Sequence, residues 1–168
     1  MAAALYVLVG GWPGSGKSTL AGPLAGELGL GLLAKDEIEE ALMVGLGNPR
    51  DVAGSRRLGR AAVLAMLRVA RTCPGAVLDG TWFEYTRPLV RGLPGRVVEV
   101  RCVIPVELAR ARYAARSGSR HVGHLDAARD EEELFGERHR PLGVGPLLTV
   151  DTSGPVDVAA LVRRIRDA

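Results

Sequence analysis

Apolar residues recur along the chain in two rhythms. Short apolar or alternating runs at Leu5–Val9, Leu32–Ala34, Ala76–Leu78, Arg96–Ile104 and Leu147–Val150 read as strands. Between them, apolar positions three and four residues apart, interleaved with charge, predict helices at Lys17–Leu28, Asp36–Val44, Asp51–Thr72, Val106–Arg116, Asp126–Arg138 and Val156–Arg166. Several of these open on an acidic residue or lie close to a proline, as helix starts do. Alternation of strand and helix implies a largely parallel sheet covered on both faces. In such sheets ligands collect at the carboxyl ends of the strands, so the residues that follow each strand are the ones to read for chemistry.

After the first strand comes Gly11-Trp12-Pro13-Gly14-Ser15-Gly16-Lys17-Ser18-Thr19, which fits G-x-x-x-x-G-K-[ST]. Glycines let backbone N–H groups turn inward around phosphate oxygens, and the helix that starts near Lys17 adds its positive end. Lys17 then reaches the β- and γ-phosphates, and the Ser18 hydroxyl is a ligand for Mg²⁺. A plain glycine turn explains Gly11 and Gly16 but not a Lys-Ser pair at this offset. Only two lysines, Lys17 and Lys35, occur among 22 cationic residues, so each is a candidate for work that a guanidinium does not do.

Reaction class narrows by elimination. The only asparagine is Asn48, followed by Pro49 and Arg50, so guanine recognition by N-K-x-D is excluded; with no glutamine in the chain, so is water positioning by that residue. No transporter ATPase signature occurs, and 168 residues leave no room for the added subdomain of a ring ATPase. An ATP-dependent phosphotransferase remains.

The second strand runs into Lys35-Asp36-Glu37-Ile38. Asp36 reads either as a helix N-cap or as the base that takes a proton from an acceptor hydroxyl approaching the γ-phosphate in line. We favour the base. Lys35 reads as a surface pair with Glu39 four residues on, or as a substrate contact. The third strand closes on Asp79, in Val77-Leu78-Asp79-Gly80-Thr81, like a Walker B element. Asp79 holds Mg²⁺ or orients the acceptor, and Asp36 and Asp79 are interchangeable as base at this level. Trp82, Phe83 and Tyr85 follow, three of seven aromatics in the chain. They form either an acceptor pocket, with Trp82 and Tyr85 as contacts, or a hydrophobic cluster beneath the loop.

Arg110, Arg112, Arg116 and Arg120 punctuate a helix that runs into Ser117-Gly118-Ser119. Arg112 and Arg116 share one helical face, and the stretch over about 112–125 reads as a lid that brings guanidinium groups over the triphosphate, with Arg120 toward the acceptor. A solvated basic face is the alternative. His121 and His124 suit contact with an anionic acceptor but lack a carboxylate set for a metal. Thr152, in the turn after the last strand, either lies by the adenine edge or caps the last helix.

Gly11 to Thr19, Asp36, Asp79, Arg112 with Arg116, and Asp151-Thr152-Ser153 together resemble the small P-loop kinases, a group that includes polynucleotide kinase domains, chloramphenicol phosphotransferase, gluconate and shikimate kinases, and zeta toxins. That resemblance implies a five-stranded parallel sheet of order 2-3-1-4-5, Asp36 as base, and lid arginines on the nucleoside triphosphate.

Composition bounds the remainder. The chain is 47% apolar and 24% charged with net charge +3, which predicts one folded domain over 1–168 with only a weak bias toward anions. No apolar stretch approaches the roughly 20 residues that span a bilayer. The run into Val9 reads as a strand and not as a signal peptide, and Cys73 and Cys102 stand apart, so a cytoplasmic setting is expected. The expected partners are ATP, Mg²⁺ and a small-molecule hydroxyl acceptor, with the protein a monomer or homodimer. The alternatives are a polynucleotide 5′-hydroxyl acceptor tracked by Arg56, Arg57 and Arg60, which the modest charge and few aromatics oppose, and an ATP-binding regulator without catalysis.

Overall fold

The computed structural model describes residues 4–117, 121–125, 130–136 and 139–168. Five strands, β1 (Ala4–Gly10), β2 (Gly31–Ala34), β3 (Gly75–Asp79), β4 (Gly95–Val103) and β5 (Leu147–Asp151), form one sheet in the order β2-β3-β1-β4-β5. Every pairing is parallel. Crossovers run through α1 (Lys17–Leu28), α2 (Lys35–Leu46), α3 (Val52–Ala70), α4 (Arg87–Arg91), α5 (Val106–Ser117) and α6 (Glu131–Phe135), and α7 (Val158–Asp167) ends the chain.

A sheet covered on both faces needs strands that are apolar on both sides, and the central β1 and β3 meet that need. On one face Val7, Val9, Val77 and Val98 pack with Leu20, Leu24, Leu161 and Ile165 of α1 and α7. On the other, Tyr6, Leu8 and Leu78 pack with Val63, Met66 and Leu67 of α3. The predicted strands are found within a residue or two. Helix starts differ where a carboxylate caps: Asp51 accepts from Gly54 N at 2.6 Å, and Asp157 accepts from Ala160 N at 2.8 Å, so the last helix begins at Val158 and not at Val156. The long helix expected over 126–138 is, among the described residues, the short α6, capped by Asp130.

One buried carboxylate organises the return from α6 to β5. Glu99 on β4 is 5% exposed and accepts from Leu142 N at 2.7 Å and Val144 N at 2.8 Å. Two backbone donors satisfy the acid that desolvation would otherwise penalise. They also fix where His139, three residues before Leu142, meets the sheet edge. Among the described residues no helix is long and apolar enough to cross a membrane.

Candidate active site

Parallel pairing brings the loops that matter to one edge. Val9 registers with Asp79, and Ala34 with Asp79 across the other side, so the loop after β1, the start of α2 and the acid ending β3 emerge side by side. The loop after β1 needs its glycines. Gly11 has φ +143°, and a Cβ there would meet Cys102 O at 2.6 Å and Ser15 Oγ at 2.7 Å. Gly14 at φ +78° lies against the Ala109 carbonyl, and Gly16 at φ +83° caps α1. Ser15 N closes a turn onto Trp12 O at 3.1 Å, and Lys17 Nζ donates to the same carbonyl at 2.9 Å.

Thr152 supports this loop from beneath. Its hydroxyl donates to Ser15 O at 2.6 Å, and the residue is buried. It does not cap the last helix, a role that Asp157 fills. Arg112 reaches across to donate to Thr152 O at 2.9 Å and Ser153 O at 2.8 Å, tying α5 to the turn after β5. Gly14, Gly16, Thr19, Pro23, Arg112, Arg116 and Thr152 line a cavity of about 560 Å³ on this side. Arg116, a turn beyond Arg112, also lines a second cavity of about 130 Å³ with Pro13, Lys17, Ser18, Asp36, Asp79, Thr81 and Phe83. One guanidinium therefore stands between the two spaces.

Electrostatics at the second cavity are set by burial. Desolvation pushes the Lys17 ammonium below its ordinary range, against the pull of Asp79 and Asp36. Desolvation likewise raises the Asp79 carboxyl, and a hydrogen bond from Ser18 and the charge of Lys17 offset part of the rise. Beneath the loop, burial pushes the Cys102 thiol up to about 11, so it is neutral and inert at physiological pH. The exposed Ser18 hydroxyl and the buried Asp79 carboxylate it hydrogen-bonds are hard oxygen donors that fit a divalent cation.

A raised carboxyl pKa in the folded state carries a sign. Asp79 contributes stability that is full below the ordinary carboxylate range and is lost as pH rises through its elevated value. Asp79→Asn, neutral at every pH, is therefore expected to raise the neutral-pH Tm of the ligand-free protein by about 2–4 °C, as ~1 kcal/mol does in a chain of this size. The gain should vanish in acid, and the added stabilisation by MgATP over ATP alone should be lost, both read by thermal unfolding.

Asp36 lies within the first turn of α2, with Ala34 as N-cap, so the capping role does not apply to it. Its Oδ1 accepts from Lys35 Nζ at 3.1 Å, and it lines the second cavity. Lys35 does pair with Glu39 as the spacing predicts, but the pair is not on the surface: Glu39 is fully buried.

The aromatic cluster divides. Trp82, expected at the acceptor, turns under the sheet edge instead, 6% exposed, with Nε1 donating to Val9 O at 3.1 Å. Gly10 is what admits it, since a Cβ there would stand 2.9 Å from Trp82 Cδ1. Tyr85 lies outside the cavity lining, stacked on Phe83 at 6.0 Å with the Arg60 guanidinium 4.8 Å from its centroid. Phe83 is the member that faces the cavity. Arg120 lies outside the described residues.

His124, read from the sequence as suiting an anionic acceptor, does line this cavity, and four lining groups were not singled out from the sequence: Tyr113, Glu133, Leu134 and His139. They come from the region after β4, and α6 carries two of them over the cavity. Phe135 packs edge-on to Trp12 of the loop at 6.4 Å and to Tyr113 at 6.0 Å. Glu133 accepts from Arg56 Nε at 3.1 Å and Nη2 at 2.7 Å, and Arg110 pairs with Glu131. The only local signal was the Asp130 cap ahead of three glutamates.

Residues 6–134 match a family model described as AAA domain. The uncharacterized protein Rv2004c of Mycobacterium tuberculosis is 34% identical over 164 residues, which cover 88% of this chain and 32% of the relative. The Mycobacterium bovis protein Mb2027c, also uncharacterized, matches to the same extent. The chain thus spans about a third of the length of these curated relatives. Among solved structures, a Chloroflexus aurantiacus protein provisionally named a kinase has TM-score 0.82 and 32% identity, with 99% of this chain and 98% of that one covered. Shikimate kinase from Acinetobacter baumannii, at TM-score 0.61, 21% identity and coverage of 99% and 92%, shares the fold. So does a gluconokinase from Sinorhizobium meliloti, at 0.60, 20%, and 97% and 89%. With its glycine-shaped phosphate loop, its 2-3-1-4-5 parallel sheet and this match over most of its length, the chain belongs to the AAA domain family, a family of P-loop kinases.

Proposed function

We propose that the protein transfers the γ-phosphate of ATP to a hydroxyl group of a small molecule. The observation that carries this reading is the convergence of Lys17, Ser18, Asp36, Asp79 and Arg116 on one cavity beside a second, larger one that meets the other side of the phosphate loop. The larger cavity takes the nucleoside, Gly11 to Thr19 cradle its phosphates, and the smaller cavity takes the acceptor.

Ser18 and Asp79 would hold Mg²⁺, which when bound neutralises charge on the β- and γ-phosphates. Lys17 places its ammonium against the same oxygens. Its partly buried, desolvated state makes that charge worth more to a phosphate than it would be in water. Arg116, at the boundary of the cavities, stabilises the negative charge that passes between them, and Arg112 braces the helix that carries it. Asp36 accepts the acceptor's proton as its oxygen bonds to phosphorus. Asp79, hydrogen-bonded by the Ser18 hydroxyl beside Lys17, stands with the phosphate loop and is assigned to the metal, whose charge would favour the carboxylate form that burial opposes. Tyr113 and α6 line the cavity, and Phe135 seats α6 against Trp12 and Tyr113, an arrangement that would exclude water from the reacting groups.

Two of the three arginines that a polynucleotide backbone would use are committed within the fold, Arg56 to Glu133 and Arg60 to Tyr85. This supports the small acceptor. The test is ATP consumption with Mg²⁺ over a panel of sugars, nucleosides, antibiotics and 5′-hydroxyl oligonucleotides. Stimulation by a small hydroxyl compound is expected. Stimulation by the oligonucleotide alone, or by nothing while ATP still binds, would reject the reading.

A further inference from the structure

We propose that His124 is a positioning residue for phosphoryl transfer, seated between Glu39 and Glu40 so that its segment is locked to the helix whose first turn presents Asp36. The inference rests on the assignment of Asp36 as base.

Its starting point is a buried acid that the mechanism above does not use. Glu39 is fully buried on α2, where an unpaired carboxylate would be costly. Its Oε2 accepts from Lys35 Nζ, and the same ammonium donates to Asp36 Oδ1 at 3.1 Å. Among the described residues its Oε1 has no hydrogen-bond partner. Lys35 is thus shared between the buried acid and the proposed base, and how firmly Glu39 holds it determines how it bears on Asp36.

His124 closes the other side of this junction. Its Nδ1 lies 3.6 Å from Glu39 Oε2 and its Nε2 lies 2.9 Å from Glu40 Oε1, with the side chain only 4% exposed. Each ring nitrogen therefore faces a carboxylate of α2. The ring also lines the acceptor cavity with Lys17 and Asp36.

The neighbouring backbone makes room for this contact. Gly123 lies so close to α2 that a Cβ there would stand 2.5 Å from Met43 Sδ. On α3, Ser55 Oγ donates to His124 O at 3.4 Å, and one turn on, a Cβ at Gly59 would stand 3.3 Å from Glu39 Oε1. A glycine inside a 19-residue helix weakens it relative to alanine. Its place opposite Glu39 and Lys35 gives that weakness a purpose. Asp36, Glu39 and His124 cluster closely enough to suggest a metal site, but the Lys35 ammonium already bridges the two acids. The cluster is an ionic junction.

The test uses the full chain, with two variants and two readouts. Amide hydrogen exchange of residues 121–125 reports docking, where His124 N normally bonds to His121 O at 3.1 Å. Turnover of MgATP, with water or the acceptor found by the panel, reports positioning. His124→Ala is expected to speed exchange across 121–125 about tenfold and to lower kcat about tenfold with KM for ATP unchanged, an effect typical of a residue within one ionic network. His124→Gln, which keeps a nitrogen toward Glu40, should recover part of both. Glu39→Gln should act in the same direction, and if it fails to fold, the His124 pair still decides. Unchanged exchange in His124→Ala, or a loss confined to KM for ATP, would overturn the proposal. Should Asp36→Asn keep full turnover while His124→Ala loses protection at 121–125, the base assignment fails and the lock stands as a structural contact without the positioning role.

Discussion

Asp36→Asn is expected to slow phosphoryl transfer by about 10²–10⁴-fold, the usual contribution of a positioned general base. The affinity for MgATP should stay within about twofold, because the carboxylate acts on the acceptor and not on the nucleotide. Geometry makes this a sharp expectation. Ala34 pairs with Asp79, so the two candidate acids project from neighbouring strand ends into one cavity. Their surroundings differ. Asp79 takes the Ser18 hydrogen bond and is shifted upward by burial, while Asp36 is about half exposed beside Lys35. The isosteric amide keeps volume and hydrogen bonding but cannot take a proton. Activity that survives in Asp36→Asn and disappears in Asp79→Asn would exchange the two roles. ATP binding and thermal response left intact with no transfer to lose would favour the regulator.

Lys17→Met is expected to act on the nucleotide side with comparable force. Removing one partner of a desolvated charge contact typically costs about 2–5 kcal/mol, so kcat/KM for ATP should fall about 30- to several-thousand-fold. The ligand-free fold should not suffer in proportion. Burial already holds the Lys17 ammonium below its ordinary range, so its charge is a burden to the folded state until phosphate arrives. For a lysine whose folded pKa is depressed, that burden is full below the depressed value and lifts as pH rises from there to the ordinary lysine range. Methionine should therefore leave the Tm equal or higher at neutral pH while abolishing stabilisation by ATP, and calorimetry with and without nucleotide separates the two effects. A Tm well below wild type would instead make Lys17 a structural residue.

The phosphate loop was legible because its chemistry is local: glycines at forced positive φ, then Lys-Ser at the mouth of a helix. The sheet was legible because parallel strands buried on both faces read as apolar runs, and the order 2-3-1-4-5 came with the family resemblance. What the pattern did not carry was direction. Nothing in Thr81-Trp82-Phe83 says that the indole turns inward to Val9 while the phenyl turns to the cavity; that choice is made by Gly10, seventy-two residues away in sequence from Trp82. Lys35 and Glu39 were paired correctly by helical spacing, yet spacing is silent on whether α3 and His124 will cover the pair. The cavity's far wall, His139 and Glu133, depends on Glu99 holding the returning chain and on Phe135 seating against Trp12. Such contacts join segments with no shared local signature, and Arg120 lies outside the described residues.

The most direct measurement follows the phosphorus atom itself. Wild-type protein and Asp36→Asn are incubated with MgATP and the acceptor that most stimulates ATP consumption, and the products are followed by ³¹P NMR. Wild type is expected to convert the γ-phosphate into a new phosphomonoester matched one for one by ADP, and the variant, which still binds ATP, to do so at least about 100-fold more slowly. ADP accompanied only by inorganic phosphate, or a phosphomonoester formed equally fast by the variant, would contradict it.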